Sequence, residues 1–314
     1  MVMGSKSRPV LSVLLLLSTF CTAVAQNDHA VKGAQGASSP YRNEVASAAA
    51  ASLAEREQTL RRAVAEQPQA SDPLYELALV LRQERKINES LDAYTRAAAL
   101  RKPTAEQLRS VAIDYVLLND YEDAIRWLQV AVRMEPRNTD VLYALGRCYY
   151  SKQSFADAGT VYQAILAIDP HNLKAEENLG LVFDATNQPV RADQALRTAA
   201  SWADPNGIDE WPFLDFGSFL LDQDRPQEAL EPLRIAARIR PESAVSHEKL
   251  GRTLLALHDS KGGIAELERA TELDPSNPKT HYELGRAYRQ AGQADRARTE
   301  FAISQKLYST HSQE

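Results

Sequence analysis

The sequence has little cysteine and few large aromatic residues. Its 314 residues include two cysteines, three tryptophans and seven phenylalanines. Only Cys148 lies beyond the N-terminal segment discussed below, so an internal disulfide is excluded and packing must hold the fold, even in an oxidising compartment. Alanine, leucine, arginine and glutamate dominate instead, and they favour helices over strands. We expect an all-α protein with a sizeable core, because 44% of the residues are hydrophobic and 25% charged.

The short motifs of common catalytic and metal sites are also absent from the sequence. It has no H-E-x-x-H, C-x-x-C, G-x-S-x-G or G-x-x-x-x-G-K-[ST]. His247 and His281 could lie near each other, because they occupy equivalent positions of the sequence repeat described below. That position is a packing site, which favours structural histidines over metal ligands. Cys148 fits a buried apolar filler better than a nucleophile. We therefore expect no enzyme, no cofactor and no metal.

The first 25 residues have the layout of a secretory signal peptide. Lys6 and Arg8 precede an apolar run from 10 to 20, and the small residues 23–25 follow. Retention as a membrane anchor is the alternative, but the run is short for a bilayer span and contains hydroxyl residues. We predict cleavage after Ala25, no membrane span afterwards, and an exported protein that is periplasmic or extracellular.

Residues 26–50 contain hardly any large apolar side chain, so they are predicted to form a flexible linker whose alanine run could start a helix. The mature chain has 34 basic and 42 acidic residues and a net charge near −8. Such an anionic chain is a poor partner for nucleic acid, whose phosphates need a basic surface. A protein or peptide partner is the remaining expectation.

Internal repetition dominates the rest of the sequence. Recurring prolines such as Pro136 and Pro170 align seven units of 34 residues, one of which is lengthened to 37. Upstream, residues 51–70 are predicted to form an N-terminal capping helix. The predicted units are 71–104, 105–138, 139–172, 173–209, 210–243, 244–277 and 278–311.

Each unit repeats the same residue types at the same offsets. Positions seven and eight pair an apolar residue with a small one, as in Leu145-Gly146 and Leu284-Gly285. Small residues recur in the second half of the unit, as at Ala158, four residues before Tyr162. A small residue lets two helix backbones approach, and a proline near the unit's end stops the second helix. Each unit is therefore predicted to be helix, turn, helix and stop.

These residues resemble the tetratricopeptide repeat from 71 to about 311. The unit 139–172 fits best, with Leu142, Leu145, Gly146, Tyr149, Ala158, Tyr162 and Pro170 at signature positions. The first unit departs, with Ala78 for glycine and Ser90 for alanine, and the fourth carries an insertion after Ala200. The resemblance implies a right-handed superhelical α-solenoid of tandem helix-turn-helix repeats, whose first helices line a concave groove that binds peptides or domains.

Carried over position by position, the resemblance implies a set of groove residues. Tyrosine and arginine are common among them, and these types concentrate binding energy at interfaces. Taken singly, each is better explained as an ordinary solvated side chain on a helix surface; the group interpretation depends on how they cluster. The basic residues of the last two repeats form a cluster, which predicts an acidic partner segment there. The predicted groove residues are Tyr75, Arg82, Arg109, Tyr143, Arg147, Tyr150, Trp211, Arg252, Lys279, Tyr282, Arg286 and Arg289.

Two further features leave alternatives open. The insertion 201–212 is either a plug whose indoles shield the gap between repeats or a binding loop. The chain ends soon after the last repeat, so Phe301, Ile303 and Leu307 are expected to be partly covered, which predicts a homodimer through that repeat. The sequence predicts a non-catalytic, exported protein-binding scaffold; the alternative is a substrate-recognition accessory subunit of an exported or envelope enzyme.

Overall fold

The structure is a computed structural model that describes residues 40–311, with side chains from 52 to 309. This part of the chain forms fifteen helices and no strand, which confirms the predicted all-α helical-repeat solenoid. The helices are α1 (Pro40–Glu66), α2 (Asp72–Gln83), α3 (Ile87–Leu100), α4 (Ala105–Leu117), α5 (Tyr121–Met134), α6 (Thr139–Ser151), α7 (Phe155–Ile168), α8 (Leu173–Ala185), α9 (Pro189–Trp202), α10 (Trp211–Asp222), α11 (Pro226–Ile239), α12 (Ala244–Ala256), α13 (Ser260–Leu273), α14 (Pro278–Gln290) and α15 (Ala294–His311).

The helices fall into two compact units. Unit 1 holds α1 to α7 and ends at Pro170, and unit 2 begins at His171 and holds α8 to α15. From α2 onward the helices come in pairs, and each of the seven predicted repeats contains one pair. The second helix of a pair ends two residues before a proline in several repeats, for example α5 before Pro136 and α7 before Pro170.

The first helix, α1, begins at Pro40, so it includes residues 40–50 of the predicted linker as well as most of the predicted cap. The predicted signal peptide and the rest of the linker lie outside the described residues. Leu60 and Val64 of α1 pack against the core of unit 1. Glu57 accepts a 2.7 Å hydrogen bond from Lys86 Nζ, and this bond is the main reason its pKa falls to about 2. An apolar stripe and a charged network thus hold α1 on the first repeat.

Small residues lie where paired helices touch, as the repeat pattern predicts. Ala78 and Ala112 are completely buried. A Cβ added to Gly180 would lie 2.7 Å from Leu196 Cγ, and one added to Gly217 would lie 2.6 Å from Leu233 Cγ. Such distances are shorter than carbon atoms tolerate without movement. The missing side chain therefore sets how closely the helices of a pair approach.

The turn inside each repeat uses a left-handed residue at position fifteen. In the third repeat Gln153 has φ 59°, and the N–H of Ser154 donates to the Tyr149 carbonyl at 2.8 Å. The N–H of Gln153 donates to Tyr150, also at 2.8 Å, which completes a Schellman motif. The same conformation recurs in all seven repeats, at Arg85, Asn119, Gln153, Asn187, Asp224, His258 and Gly292.

Candidate functional site

In unit 1, the first helices of the first two repeats line an open cavity of about 390 Å³. Helices α2 and α4 place successive turns of their exposed faces side by side, because their other faces are packed against α3 and α5 through Ala78 and Ala112. The cavity is lined by Asp72, Tyr75, Glu76, Leu79, Arg82, Tyr94, Glu106, Gln107, Arg109, Ser110 and Ile113.

Three predicted groove residues lie in this cavity, in different environments. Tyr75 is 5% exposed and donates its hydroxyl to the Arg101 carbonyl at 2.9 Å, so it is mainly a packing residue. Arg82 is also largely covered and donates to the Ser110 carbonyl at 2.6 Å. Arg109 binds Glu106 through two hydrogen bonds of 2.6 and 2.8 Å, which neutralises its charge. The exposed apolar contribution comes from Leu79, 36% exposed.

Helix α6 carries the predicted residues Tyr143, Arg147 and Tyr150, all half-buried. The Tyr143 ring lies 6.2 Å from that of Tyr162, and the Tyr150 ring meets Phe155 edge-on at 5.3 Å. Each tyrosine therefore rests on an aromatic residue of α7 and keeps part of its surface open. Cys148, between them, is buried and reduced, as expected of an apolar filler.

In unit 2, the insertion forms a loop between α9 and α10. Its Trp202 ring lies 5.2 Å from His171, and Trp211, the first residue of α10, is half-buried. Arg238 of α11 donates to the Pro205 carbonyl at 3.1 Å, and Ile208 near the loop's tip is 90% exposed. Both indoles are partly covered and hydrogen bonds hold the loop, as the plug interpretation expects, whereas the exposed Ile208 fits the alternative of a binding loop.

The basic residues of the last two repeats do not form a bare positive patch. Arg252 lies 3.7 Å from both Asp222 and Glu248, and Lys279 Nζ lies 3.1 Å from Glu248 Oε1. Glu248 is 4% exposed, so these cations compensate a buried carboxylate. The prediction of a cationic cluster overlooked these acids, although Asp222 and Glu248 stand at nearby groove positions in the sequence.

The remaining predicted cations have more freedom. Arg286, with a 45% exposed side chain, lies 3.1 Å from Glu283 in the same helix. Arg289 is exposed, forms no ion pair among residues 52–309, and stands 5.6 Å over the ring of Phe301. Arg252, Glu283 and Arg286 line a cavity of about 250 Å³. A second cavity of about 440 Å³ is lined by Tyr282, Arg289, Phe301, Ser304, Gln305 and Tyr308.

The two repeat histidines take structural positions in unit 2. Nδ1 of His247 lies 2.6 Å from Glu266 and its Nε2 lies 3.1 Å from the Pro241 carbonyl. His281 has the same two contacts, with Glu300 and Pro275. Each ring therefore joins the two helices of its own repeat. Among the residues whose placement is described, no group of three histidine, cysteine or acidic side chains is arranged to hold a metal ion.

Comparisons with known proteins agree with this repeat structure. Residues 112–172 and 248–311 match the family model of the tetratricopeptide repeat, which confirms repeats of this type there. Anaphase-promoting complex subunit 3 of Schizosaccharomyces pombe is 19% identical over 194 residues, covering 62% of this chain and 29% of that protein. The BBSome complex member bbs-4 of Caenorhabditis elegans is 28% identical over 166 residues, covering 52% of this chain and 34% of that protein.

A solved structure shares the fold. The yeast Tom70 crystal structure aligns with a TM-score of 0.61 at 15% identity, over 98% of this chain and 63% of Tom70. The chain spans about a third of the length of the two curated relatives. Within residues 40–311, none of the helices combines the length and apolar character needed to cross a membrane.

Proposed function

We propose that this chain is a non-catalytic scaffold that binds other polypeptides along the exposed faces of its first helices. The proposal is carried by a lined surface in each unit. In unit 1 the exposed Leu79 and the half-buried Arg109 stand on the first helices α2 and α4. In unit 2 the exposed Tyr282 and Arg289 of the first helix α14 border a cavity that α15 closes on its other side. Their cavities of about 390 and 440 Å³ suit side chains of a bound segment. Both curated relatives are named as members of protein complexes, which supports the same class of function.

For unit 2, we propose an acidic partner segment that contacts Arg286 and Arg289. Arg289 has no ion pair among the described side chains, and the Arg286–Glu283 pair is solvent-exposed and therefore weak. An incoming carboxylate can accept hydrogen bonds from these guanidinium groups without uncovering the buried Glu248. Arg252 and Lys279, by contrast, are engaged with that carboxylate and contribute less to a guest.

Site-specific photo-crosslinking tests the proposed surface. A photoreactive residue at position 143 or 282 is expected to capture partner polypeptides. The same residue at Arg269, on the second helix α13, should capture far less. A second copy of this chain captured at position 282 is counted separately, because Tyr282 also borders the surface proposed below for self-association. Capture that is equal at all three positions would contradict groove binding.

A matched charge reversal tests the acidic partner. Arg286→Glu with Arg289→Glu should weaken binding of the captured partner by at least about tenfold, given the strength of charge-assisted contacts. Arg269→Glu with Arg298→Glu is the control, because Arg269 and Arg298 are exposed arginines on second helices, each in an i,i+3 ion pair like that of Arg286. An equal loss of partner affinity in both double variants would indicate a general charge effect and would contradict the acidic-segment proposal.

The proposal includes export to a periplasmic or extracellular compartment, on the strength of the N-terminal sequence pattern. Fractionation followed by mass determination of the mature N-terminus is expected to find the chain outside the cytoplasm and starting at Gln26. A single dominant enzyme among the captured partners would support the accessory-subunit alternative. A cytoplasmic chain retaining Met1 would overturn the export proposal.

We also propose self-association through the last repeat. Phe301, Ile303 and Leu307 of α15 are only half-buried, and Tyr282 and Tyr308 beside them are 47% and 53% exposed. Sedimentation over a range of concentrations is expected to show a dimer that Tyr308→Asp dissociates. A monomer at the highest concentration would remove this part of the proposal.

A further inference from the structure

Asp114 is a completely buried carboxyl group in unit 1, directly beneath the groove residue Arg82. It lies in α4, and its side chain is 0% exposed. The family resemblance assigns no role to this position; the preceding repeat has Val80 and the following repeat has Cys148 there. A buried acid among apolar neighbours has a large desolvation penalty when ionised, so its protonation state must be worked out from its contacts.

The hydrogen bonds of the Ser90 hydroxyl group indicate the protonation state of Asp114. Ser90 Oγ lies 2.8 Å from the carbonyl oxygen of Ala78 and 2.6 Å from Oδ2 of Asp114. A hydroxyl group has one hydrogen to donate, whereas a carbonyl and an ionised carboxylate can only accept. Both contacts are satisfied when Asp114 is protonated, because Asp114 then donates to Ser90 and Ser90 donates to Ala78.

The other contacts of Asp114 are consistent with a neutral acid. Its Oδ1 atom accepts no hydrogen bond from the described side chains, which an ionised oxygen would require. Arg82 Nε is 4.0 Å away, too far for a hydrogen bond, and the guanidinium donates to the Ser110 carbonyl instead. Burial raises the pKa of Asp114 to about 7, against the opposing effects of Ser90 and Arg82.

The groups that face Asp114 come from two helices. Arg82 of α2 and Ser90 of α3 act directly on its charge, and the buried Tyr94 of α3 shares the electrostatic environment. Burial raises the pKa of the Tyr94 hydroxyl, so that group stays neutral throughout the relevant range. Helices α5 and α6 also pack against α4, but they contribute no charged group that shifts the pKa of the Asp114 carboxyl.

We propose that Asp114 is a proton switch that sets the position of Arg82 in the unit 1 groove. While Asp114 is protonated, it donates a hydrogen bond to Ser90, which in turn donates to the Ala78 carbonyl. Arg82 then binds the Ser110 carbonyl and lines the cavity. When Asp114 releases the proton to solvent, the new carboxylate attracts Arg82 across the 4.0 Å gap and draws it away from Ser110. The net charge of the groove then falls by one unit, because the new carboxylate neutralises the largely covered Arg82. That consequence for guests rests on the proposed function, whereas the switch itself does not.

Titration of the full-length chain, labelled with ¹³C at the aspartate carboxyl carbons, tests the switch. Asp215 in unit 2 provides a comparison, because burial raises its pKa to about 7 as well. We expect two aspartate signals with midpoints near 7, one of which disappears in Asp114→Asn and the other in Asp215→Asn. Arg82→Gln should raise the Asp114 midpoint by about one unit, because a nearby cation is lost. An Asp114 midpoint below pH 5 would overturn the proposal.

The second readout follows Arg82 itself. The ¹⁵N shift of its Nε, assigned with Arg82→Gln, should move between pH 6 and pH 8.5 in the wild-type chain and stay fixed in Asp114→Asn. If the ¹⁵N shift of Arg82 Nε stays constant while Asp114 titrates, the proposed coupling between the two residues is contradicted. Neither readout needs a partner, so failure of groove binding and failure of the switch are separate results.

Discussion

Gly146 of α6 lies against the ring of Tyr162 so closely that a Cβ added to it would stand 2.7 Å from Cε1 of that ring. Tyr162 is completely buried and comes from α7, the second helix of the same repeat. Its ring cannot move away without opening a cavity in the core of unit 1.

The change Gly146→Leu should therefore force α6 and α7 apart and lower the free energy of unfolding by about 1–3 kcal/mol. The comparison variant is Tyr143→Ala, one turn earlier on the half-buried face. It removes one aromatic contact with Tyr162, for which about 1 kcal/mol is the expected loss. Chemical denaturation measures both values, and a smaller loss for Gly146→Leu than for Tyr143→Ala would mean that the repeat register is wrong.

The left-handed turn residues give a second prediction. Gly292 has φ 75° and open space around its missing Cβ, so Gly292→Ala adds backbone strain without a clash, a cost of about 1 kcal/mol. Gln153→Gly in the same turn position relieves that strain. We expect the midpoint of thermal unfolding to fall for Gly292→Ala and to hold or rise slightly for Gln153→Gly. The opposite order would rule out strain as the dominant effect.

The attachment of α1 gives a third prediction. Lys86→Glu removes the hydrogen bond to Glu57 and places a like charge beside it, so α1 should loosen from the first repeat. Faster cleavage within α1 by a protease, with the rest of unit 1 still resistant, is the expected result. Lys152→Glu is a suitable control, because Lys152 is as exposed as Lys86 and forms its ion pair with Glu122 of the preceding repeat, not with α1. Equal cleavage rates in both variants would show that the Lys86 network is dispensable.

Lower pH should stabilise the chain through Asp114 and Asp215, whose pKa values are raised by desolvation. Folding raises the pKa of Asp114 from 3.8 to about 7, so the folded state holds a proton that the unfolded state has lost between pH 4 and 7. This contribution to stability is complete below about pH 4 and disappears as the pH rises to 7. Asp114→Asn should flatten the fall in melting temperature of unit 1 across this window, and Asp215→Asn should do the same for unit 2. Unchanged slopes would contradict the raised values.

The repeat length and the helix pair of each repeat followed from the sequence alone, whereas α1 begins at Pro40, within the predicted linker. A small residue such as Gly146 and a large one such as Tyr162 recur at fixed spacing because each helix pair meets in the same way, and this contact depends only on local residue type. The left-handed turn residues were not predicted, although Asn119, Asn187, Asp224, His258 and Gly292 are of types that adopt positive φ readily. Arg85 and Gln153 give no such signal. Their backbone is imposed by the helices on either side.

The groove residues show the same contrast between what the sequence predicts and what neighbouring helices decide. Their repeat positions could be assigned from the sequence, but the environment of each depends on side chains from neighbouring helices. Tyr75 proved to be buried, and Lys279 is engaged by Glu248, a residue 31 positions away. The sequence shows only that Asp114 stands where the neighbouring repeats have Val80 and Cys148; its neutral state follows from the contacts of its carboxyl group.

The sequence by itself determined the seven helix pairs, because a small residue returns at the same position of every unit, as alanine at Ala78 and as glycine at Gly146. Only the tertiary structure decided which charges are free, which are neutralised and which carboxyl keeps its proton. Those properties depend on distances of a few ångströms between helices far apart in sequence, and on how much water reaches each group.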